Sequence, residues 1–444
     1  MDRRNRSGTK IAVAVLAVLI FSILGFGAVE IWSSTIVEVS VFTLFLLWFM
    51  FEDNPACVGN DSPSDNRRKM KYLFISLSLL LVYLFVQMLP LPSSILKYLS
   101  PHAYDLYAYY SVGKTPDMHV SLYAYKTEVE FIRVLTYAAF FVLIAFSMKD
   151  IPVIENVIKA LSFFGFVLAF FAILQMATWN GKLYWFREIT GSSPFGPFVN
   201  RNHYAGLIGM LTPLTLGLAF TRKSKEKQML FGFFGLIMSV SLFLSLSRAG
   251  IMSFFAGIGS LSLFLSWSKI RSWKRWAVAA FLFVLCLYLL YVGIDPLIER
   301  FYKTDVTHEA RTAVWGKTLF AFKDFFLTGS GLGTFVNVFP LYSSEPVESL
   351  YDHAHNDYLE YLLETGVIGF ALLLFFFISF IRYVAAGGWS GKAGIIKISL
   401  LSSITTMTVH SAFDFNLHVP SNALMLSAIA GMSVAMSRIG HMRS

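Results

Sequence analysis

Long apolar runs recur along this chain, and they constrain its fold more than any other feature. About twelve of them approach the roughly 20 residues that a helix needs to cross a hydrocarbon core of about 30 Å. Only 14% of the 444 residues are charged, against about a quarter in soluble domains. The runs are 9–29, 31–51, 72–91, 131–147, 155–176, 203–221, 228–246, 249–267, 276–294, 358–384, 394–413 and 419–437. The sequence therefore predicts an all-α polytopic membrane protein of about 12 transmembrane helices, with one membrane domain over residues 1–444.

Positive charge is distributed unevenly between the two sides that these crossings define. Of the 36 Lys and Arg residues, 23 lie in segments that all fall on one side. These segments are 1–10, 52–71, 148–159, 222–227, 269–275, 382–397 and 438–444. Short basic loops mark the cytoplasmic face, so both termini are predicted to be cytoplasmic. Because the net charge of +9 is divided among separate segments, it indicates topology and no nucleic-acid binding.

The opposite face receives the long loops 92–130, 177–202 and 295–357. The last is the longest and lies between the ninth and tenth predicted helices. A loop of this length inside a compact membrane protein is usually functional. We therefore expect 295–357 to carry function on the non-cytoplasmic face.

The richest polar stretch runs from Asp352 to Gly369, where the long loop meets the tenth helix. Asn356 or Asp357 suits the N-cap of that helix, which places His355 just before the helix begins. The amino end of a helix favours a nearby anion. Gly366 and Gly369 are small residues that allow a neighbouring helix to pack closely.

The spacing His355-Asn356, nine residues, Gly366-Val367-Ile368-Gly369 resembles the signature of the O-antigen ligase and O-antigen polymerase superfamily. The stretches 200–206, 245–250 and 410–416 also resemble members of that family. The resemblance implies a glycosyltransferase C-type fold in a bacterial inner membrane, with a long periplasmic loop. It further implies transfer of a glycan from an undecaprenyl-diphosphate carrier.

An O-antigen ligase acting on lipid A-core is our first interpretation. The alternative is a polymerase that joins lipid-linked repeat units to a second glycan, and a protein O-oligosaccharyltransferase is less favoured.

The same resemblance implies roles for three residues, His355 as catalytic base and Arg248 and Arg311 as ligands of the diphosphate. A neutral imidazole suits the first role because it can take a proton from a sugar hydroxyl. Arginine suits the second because its planar fork bonds two phosphate oxygens at once. In-line attack of this kind inverts the anomeric centre. Arg300 and Lys303 compete with Arg311 for its role.

No Asp-x-Asp motif occurs in the chain, and the arginines would then replace a metal ion. We therefore predict no metal and no cofactor in the transfer reaction. A metal site at His353 and His355 beside Asp352 is the less favoured alternative, because such a site needs three or four converging ligands.

Further polar residues near the outer ends of helices are candidates for supporting roles. Asn356 adjoins the proposed base. Arg201 and His203 begin the sixth helix, where they would bind phosphate or sugar or anchor the membrane interface. Arg133 is either a site residue or ion-paired locally with Glu128 or Glu130. Asp414 lies four residues after His410, and a structural hydrogen bond between the two is the favoured interpretation.

A secondary transporter is the alternative from a different functional class. Twelve helices with basic cytoplasmic loops also fit a transporter. Transporters place polar groups near the bilayer midplane, whereas the ionisable residues here cluster at the outer ends of the runs. The sequence therefore favours an enzyme.

Overall fold

The computed structural model describes residues 3–51, 64–110, 118–189, 193–267, 305–343, 351–386 and 388–441, together with positions 281, 282, 285 and 287. Its helices are α1 (Arg3–Leu24), α2 (Ile31–Phe51), α3 (Ser64–Val86), α4 (Ser93–Leu99), α5 (Pro101–Tyr110), α6 (Ala124–Ser147), α7 (Ile151–Ala177), α8 (Arg201–Thr221), α9 (Lys225–Leu244), α10 (Arg248–Trp267), α11 (Asp305–Asp324), α12 (Phe335–Val338), α13 (Asp357–Ala385), α14 (Gly391–His410) and α15 (Pro420–His441). A short antiparallel hairpin pairs β1 (Lys182–Leu183) with β2 (Arg187–Glu188).

Within these described ranges, nine helices are long and apolar enough to cross a membrane. They are α2, α3, α6, α7, α8, α9, α10, α13 and α15. The prediction of a helical, polytopic membrane protein is confirmed. The first and eleventh predicted runs form α1 and α14; the apolar part of α1 is short, and α14 carries six Ser and Thr residues. The ninth run, 276–294, falls mostly outside the described residues.

The segments between the apolar runs contain more helix than the sequence indicated. Helix α3 begins at Ser64 and α6 at Ala124, whereas their apolar runs begin at 72 and 131. An apolar run marks only the part of a helix that lies in hydrocarbon, so the polar turns at the helix ends are not predicted from it. The predicted loop 92–130 contains α4 and α5, and the loop 295–357 contains α11 and α12.

Helix α8 is the centre of the bundle and is buried along nearly its whole length. It packs against α7, α9, α10 and α14. Small residues permit this close approach. A Cβ added to Gly209 of α8 would lie 3.0 Å from the Thr406 side chain of α14, and one added to Gly257 of α10 would lie 2.0 Å from it. Thr406 therefore sits where three helices meet.

One end of the bundle gathers several of the basic segments around a single buried carboxylate. Glu155 of α7 pairs with Arg222 at 2.5 Å, with Lys159 at 3.2 Å and with Lys392. These three cations belong to the predicted cytoplasmic segments 222–227, 148–159 and 382–397. Helix α8 has 21 residues and so separates this end from the end that carries Arg201 by about 30 Å.

Candidate active site

The amino end of α13 fixes the position of His355. Asn356 is the N-cap, as predicted, and its Oδ1 accepts hydrogen bonds from the backbone N–H groups of Tyr358 and Leu359, both at 3.1 Å. His355 immediately precedes the cap and has φ +52°. This left-handed conformation is uncommon for a residue with a side chain and recurs at functional sites. The chain therefore turns sharply at His355 before the helix begins.

His355 and Asp414 form a hydrogen-bonded dyad. The Nδ1 atom of His355 lies 3.2 Å from Oδ1 of Asp414, and the imidazole packs edge-on against Phe415 with 5.0 Å between ring centroids. The Asp414 side chain is fully buried, whereas that of His355 is 24% exposed. Such an arrangement fixes the imidazole tautomer through a buried carboxylate and leaves the other ring nitrogen available for chemistry.

Asp414 is the negative centre of this site. Burial alone would raise the pKa of its carboxyl, but the hydrogen bond from His355 and the neighbouring imidazole groups outweigh burial. The result is a pKa held well below its usual range. Asp414 is therefore a carboxylate at neutral pH, as a partner of Nδ1–H must be.

Arg311, one of the two arginines implied by the resemblance, lies beside this dyad. The guanidinium of Arg311 donates a hydrogen bond to the carbonyl oxygen of Phe413 at 3.3 Å, one residue before Asp414. Arg311 also lies within electrostatic range of Arg248 at the start of α10. Two neighbouring guanidinium groups suit a polyanion such as a diphosphate, because each can donate to different oxygens of the same ligand.

The predicted hydrogen bond between His410 and Asp414 is present between their backbones: the N–H of Asp414 donates to the carbonyl oxygen of His410 at 3.1 Å. His410 is the last residue of α14, and the side chains of the two residues have other partners. The Nδ1 atom of His410 lies 3.2 Å from the Ser253 hydroxyl of α10, and Asp414 contacts His355. The Nε2 atom of His410 and Oδ2 of Asp414 have no hydrogen-bond partner among the described residues.

The remaining supporting candidates divide into one inside the site and two outside it. His203 is buried, packs edge-on against Phe415 at 4.8 Å and acts electrostatically on Asp414. Arg201 begins α8, and its backbone N–H donates to the Ser193 carbonyl at 2.8 Å. Its described contacts do not join it to His355. Arg133 is ion-paired with Glu130 at 2.7 Å, which agrees with the local pairing that the sequence left open.

A second cluster of titratable groups adjoins the dyad behind Phe415. The Nδ1 atom of His353 lies 2.7 Å from Oε1 of Glu360, and Nε2 of His418 lies 3.3 Å from the same oxygen. The His353 ring stacks on Phe415 at 4.3 Å. Burial alone would lower the pKa of His418, but the charges of Glu360 and Asp357 outweigh burial and raise the pKa to about 10.

Gly366 interrupts α13 instead of serving only as a small packing residue. Its φ of +63° breaks the helix, and an added Cβ would lie 2.4 Å from the Leu327 carbonyl oxygen. The break exposes helix carbonyls to the preceding loop. Ser330 N–H bonds to the Leu363 oxygen at 3.0 Å, and Gly331 N–H bonds to the Glu364 oxygen at 2.9 Å. Gly369 fits the predicted packing role, since its Cβ position faces Tyr83 of α3 at 2.9 Å.

An apolar cavity of about 650 Å³ lies between α10, α13 and α14. Its lining is almost wholly aliphatic and aromatic. The lining residues are Phe264, Phe377, Ile381, Ala385, Trp389, Leu401, Ile404, Thr405 and Thr408. The carbonyl of Thr408 accepts a hydrogen bond from the Tyr358 hydroxyl at 2.7 Å, so this end of the cavity adjoins the first turn of α13.

The fold and this site define a polytopic helical membrane protein with a histidine–carboxylate dyad beside Arg311, which lies within electrostatic range of Arg248. Residues 233–374 match the model of the O-antigen ligase family, and this match supports the O-antigen ligase and polymerase superfamily for the chain. Arg248, Arg311 and His355 fall inside the matched segment, whereas Asp414 falls outside it. The family supports glycan transfer of the ligase or polymerase type in general. No curated protein matches the chain.

Sequence reasoning missed two features of the site. It did not single out His418 and did not pair Asp414 with His355. Both residues lie in the stretch Phe413–His418, where polar residues are concentrated in a short turn between two apolar runs. That concentration was the available signal, because a short turn between membrane helices has little reason to hold two titratable groups.

Proposed function

We propose that this protein transfers a glycan from an undecaprenyl-diphosphate-linked donor to a hydroxyl acceptor, as an O-antigen ligase with lipid A-core as acceptor. The reaction would take place at the periplasmic face of a bacterial inner membrane. The observation that carries the proposal is the hydrogen bond from His355 to Asp414 beside Arg311. This group combines a positioned base with cations suited to the leaving diphosphate.

His355 would act as the general base. Because Nδ1–H is held by Asp414, Nε2 is the atom that accepts the proton of the acceptor hydroxyl. The acceptor oxygen bonds to the anomeric carbon as the bond from that carbon to the phosphate oxygen breaks. The proton remains on His355, the lipid diphosphate leaves, and the anomeric configuration inverts.

Arg311 and Arg248 would stabilise the negative charge that develops on the diphosphate. Donors placed where charge forms in the transition state usually contribute more to catalysis than any other effect. The hydrogen bond of Arg311 to the Phe413 carbonyl holds its guanidinium next to the dyad. Arg311 would therefore bind the leaving diphosphate next to the position where His355 accepts the proton.

The apolar cavity between α10, α13 and α14 is the proposed site for part of the polyprenyl chain. Its lining offers contact with hydrocarbon, and its Thr408 end adjoins Tyr358, three residues after His355. A lipid tail in this cavity would place its diphosphate towards the amino end of α13 and the arginines.

We further propose twelve crossings over a single domain, 1–444, with both termini cytoplasmic and 295–357 as the periplasmic loop between the ninth and tenth helices. The meeting of three basic segments at Glu155, opposite the His355 end, supports this orientation. Cysteine accessibility labelling at Ser224 and Asp352 tests it, since only the Asp352→Cys variant should react with a membrane-impermeant reagent added outside the inner membrane.

The deletion phenotype tests the function and separates ligase from polymerase. A bare lipid A-core with long glycan left on the carrier indicates a lost ligase. Single repeats on lipid A-core indicate a lost polymerase. In the complemented strain, His355→Ala should abolish transfer at normal protein levels, and His102→Ala, a histidine that contacts Tyr342 instead, should not. Unchanged transfer by His355→Ala would refute the catalytic role.

We also propose that transfer needs no divalent cation bound to the diphosphate, because Arg248 and Arg311 would neutralise its negative charge. The purified protein should retain activity when magnesium is omitted. Loss of activity in EDTA that magnesium restores would contradict this assignment.

A further inference from the structure

The cluster behind Phe415 has the composition and spacing of a transition-metal site. His353 Nδ1, Glu360 Oε1 and His418 Nε2 all lie within 4.8 Å of one another. Two imidazoles and one carboxylate are a common set of protein ligands for zinc. They come from three separate pieces of chain, namely the loop before α13, the first turn of α13 and the turn Asn416–His418.

The partners of these ligands orient them towards one point. Nδ1 of His418 lies 3.0 Å from Oδ1 of Asp357, which leaves Nε2 to face Glu360. The second oxygen of Glu360 accepts the Ala354 N–H at 2.8 Å, so Oε1 is the oxygen that faces the imidazoles. A carboxylate behind a metal-binding histidine is the usual outer contact of such sites.

The balance of buried charge also favours a cation here. Asp357, Glu360 and Glu364 lie on the first two turns of α13 and are each at most 4% exposed. Across the described ranges, the only ion-pair partners of these three carboxylates are His353 and His418. Buried carboxylates are ordinarily paired with cations or bound to metals, and here two imidazoles face three carboxylates.

We propose that His353, Glu360 and His418 bind one zinc-class divalent ion. The fourth position would be open to water. Tetrahedral zinc separates neighbouring N and O ligands by about 3.3 Å, given bonds of about 2.0–2.1 Å. The His418–Glu360 distance of 3.3 Å already fits. His353, whose side chain is 28% exposed, would rotate slightly from its present 2.7 Å hydrogen bond. Imidazole ligands select zinc over magnesium, which prefers oxygen.

The role of this ion would be structural. It would tie the loop 353–355 to α13 and to the turn after Asp414, and so hold both members of the dyad in place. Phe415 lies between the cluster and His355, with its ring centroid 4.3 Å from that of His353 and 5.0 Å from that of His355. The three ligands have no part in the proposed transfer step, so the metal site does not rest on that function.

The test is the metal content of the full-length protein, purified in detergent from zinc-supplemented medium and measured by mass spectrometry. We expect about one zinc per chain in the wild type and in the control His102→Ala. His353→Ala and His418→Ala should each hold less than roughly a tenth of that amount. Asp357→Asn keeps all three ligands and should weaken zinc binding by about 10–100-fold.

A conservative variant covers the case in which an alanine variant does not fold. Glu360→Gln keeps the size of the side chain and the acceptor for Ala354 but removes the charge, and it should also lose zinc. Wild type that stays metal-free after incubation with zinc would overturn the proposal, as would equal zinc in wild type and Glu360→Gln. Either result would leave an imidazole–carboxylate cluster without metal and would not bear on glycan transfer, because metal content is measured independently of activity.

Discussion

Nδ1 of His355 and Oδ1 of Asp414 lie 3.2 Å apart although the residues are 59 positions apart in the chain. One precedes α13 and the other follows α14, and hydrogen bonds join the two helix ends: the Asp357 N–H donates to the Ser411 carbonyl at 2.9 Å and the Tyr358 hydroxyl to the Thr408 carbonyl at 2.7 Å. The left-handed backbone at His355 and the turn after His410 bring the two side chains together. The position of the proposed base therefore depends on tertiary structure and not on its own loop alone.

Replacement of Asp414 with Asn should reduce transfer by roughly 10²–10⁴-fold, because an amide does not hold the productive imidazole tautomer and charge. The measurement is the rate of a single turnover with purified lipid-linked donor. Since the two residues act as a unit, the double variant His355→Ala/Asp414→Asn should be no slower than His355→Ala alone. Asp324→Asn, at a carboxylate bonded to Tyr342, is the control. Additive losses in the double variant would argue against the dyad.

Lysine at either arginine position should weaken transfer although it keeps the charge. Arg248→Lys and Arg311→Lys lose the planar fork that grips two phosphate oxygens. Each should cost about 3 kcal/mol, or roughly 100-fold in kcat/KM. Arg187→Lys, whose arginine pairs with Glu30 and lies over Phe26, should keep wild-type kinetics. If neither site variant differs from this control, the diphosphate binds elsewhere.

Gly366→Ala should destabilise the protein by about 2 kcal/mol or more, because it adds a methyl group against a backbone carbonyl at a left-handed position. The measurement is the thermal midpoint in detergent. Gly232→Ala is the matched control, since a Cβ there meets nothing within 4 Å. In a helix, alanine is more favourable than glycine by about 1 kcal/mol, so Gly232→Ala should equal or exceed the wild type. An unchanged midpoint for Gly366→Ala would mean that α13 is not interrupted there.

The stability of the metal-free protein should fall as pH rises from about 6.5 to 10. The pKa of His418 is raised from 6.5 to about 10 in the folded state. Protonated His418 therefore contributes stability that is fully present below its unfolded pKa and lost as pH passes the folded value. Thermal midpoints measured in EDTA across this interval should decline more steeply for wild type than for His418→Gln. Equal slopes for the two proteins would mean that protonation of His418 does not stabilise the folded state.

The sequence predicted the features that depend on local composition. Apolar runs located the helices α2, α7 and α10 within a few residues, and the cap at Asn356 followed from its side chain and position. The family resemblance singled out Arg248 and Arg311, and the structure places Arg311 on the residue before Asp414 and within electrostatic range of Arg248. Sequence reasoning failed where contacts are distant in the chain. The partner of Asp414, the cluster around Glu360 and the break at Gly366 all depend on which turns meet in space.

The break at Gly366 divides α13 into two halves that share one anchor, the loop 326–331. Ser330 and Gly331 of this loop donate to carbonyls of the first half, and the N–H groups of Val367 and Ile368 in the second half donate to the Phe326 and Leu327 carbonyls at 2.9 and 3.3 Å. The second half includes Phe377 and Ile381, which line the apolar cavity. The first half carries the cap beside His355, so the loop 326–331 sets the direction of this cavity wall relative to the proposed base.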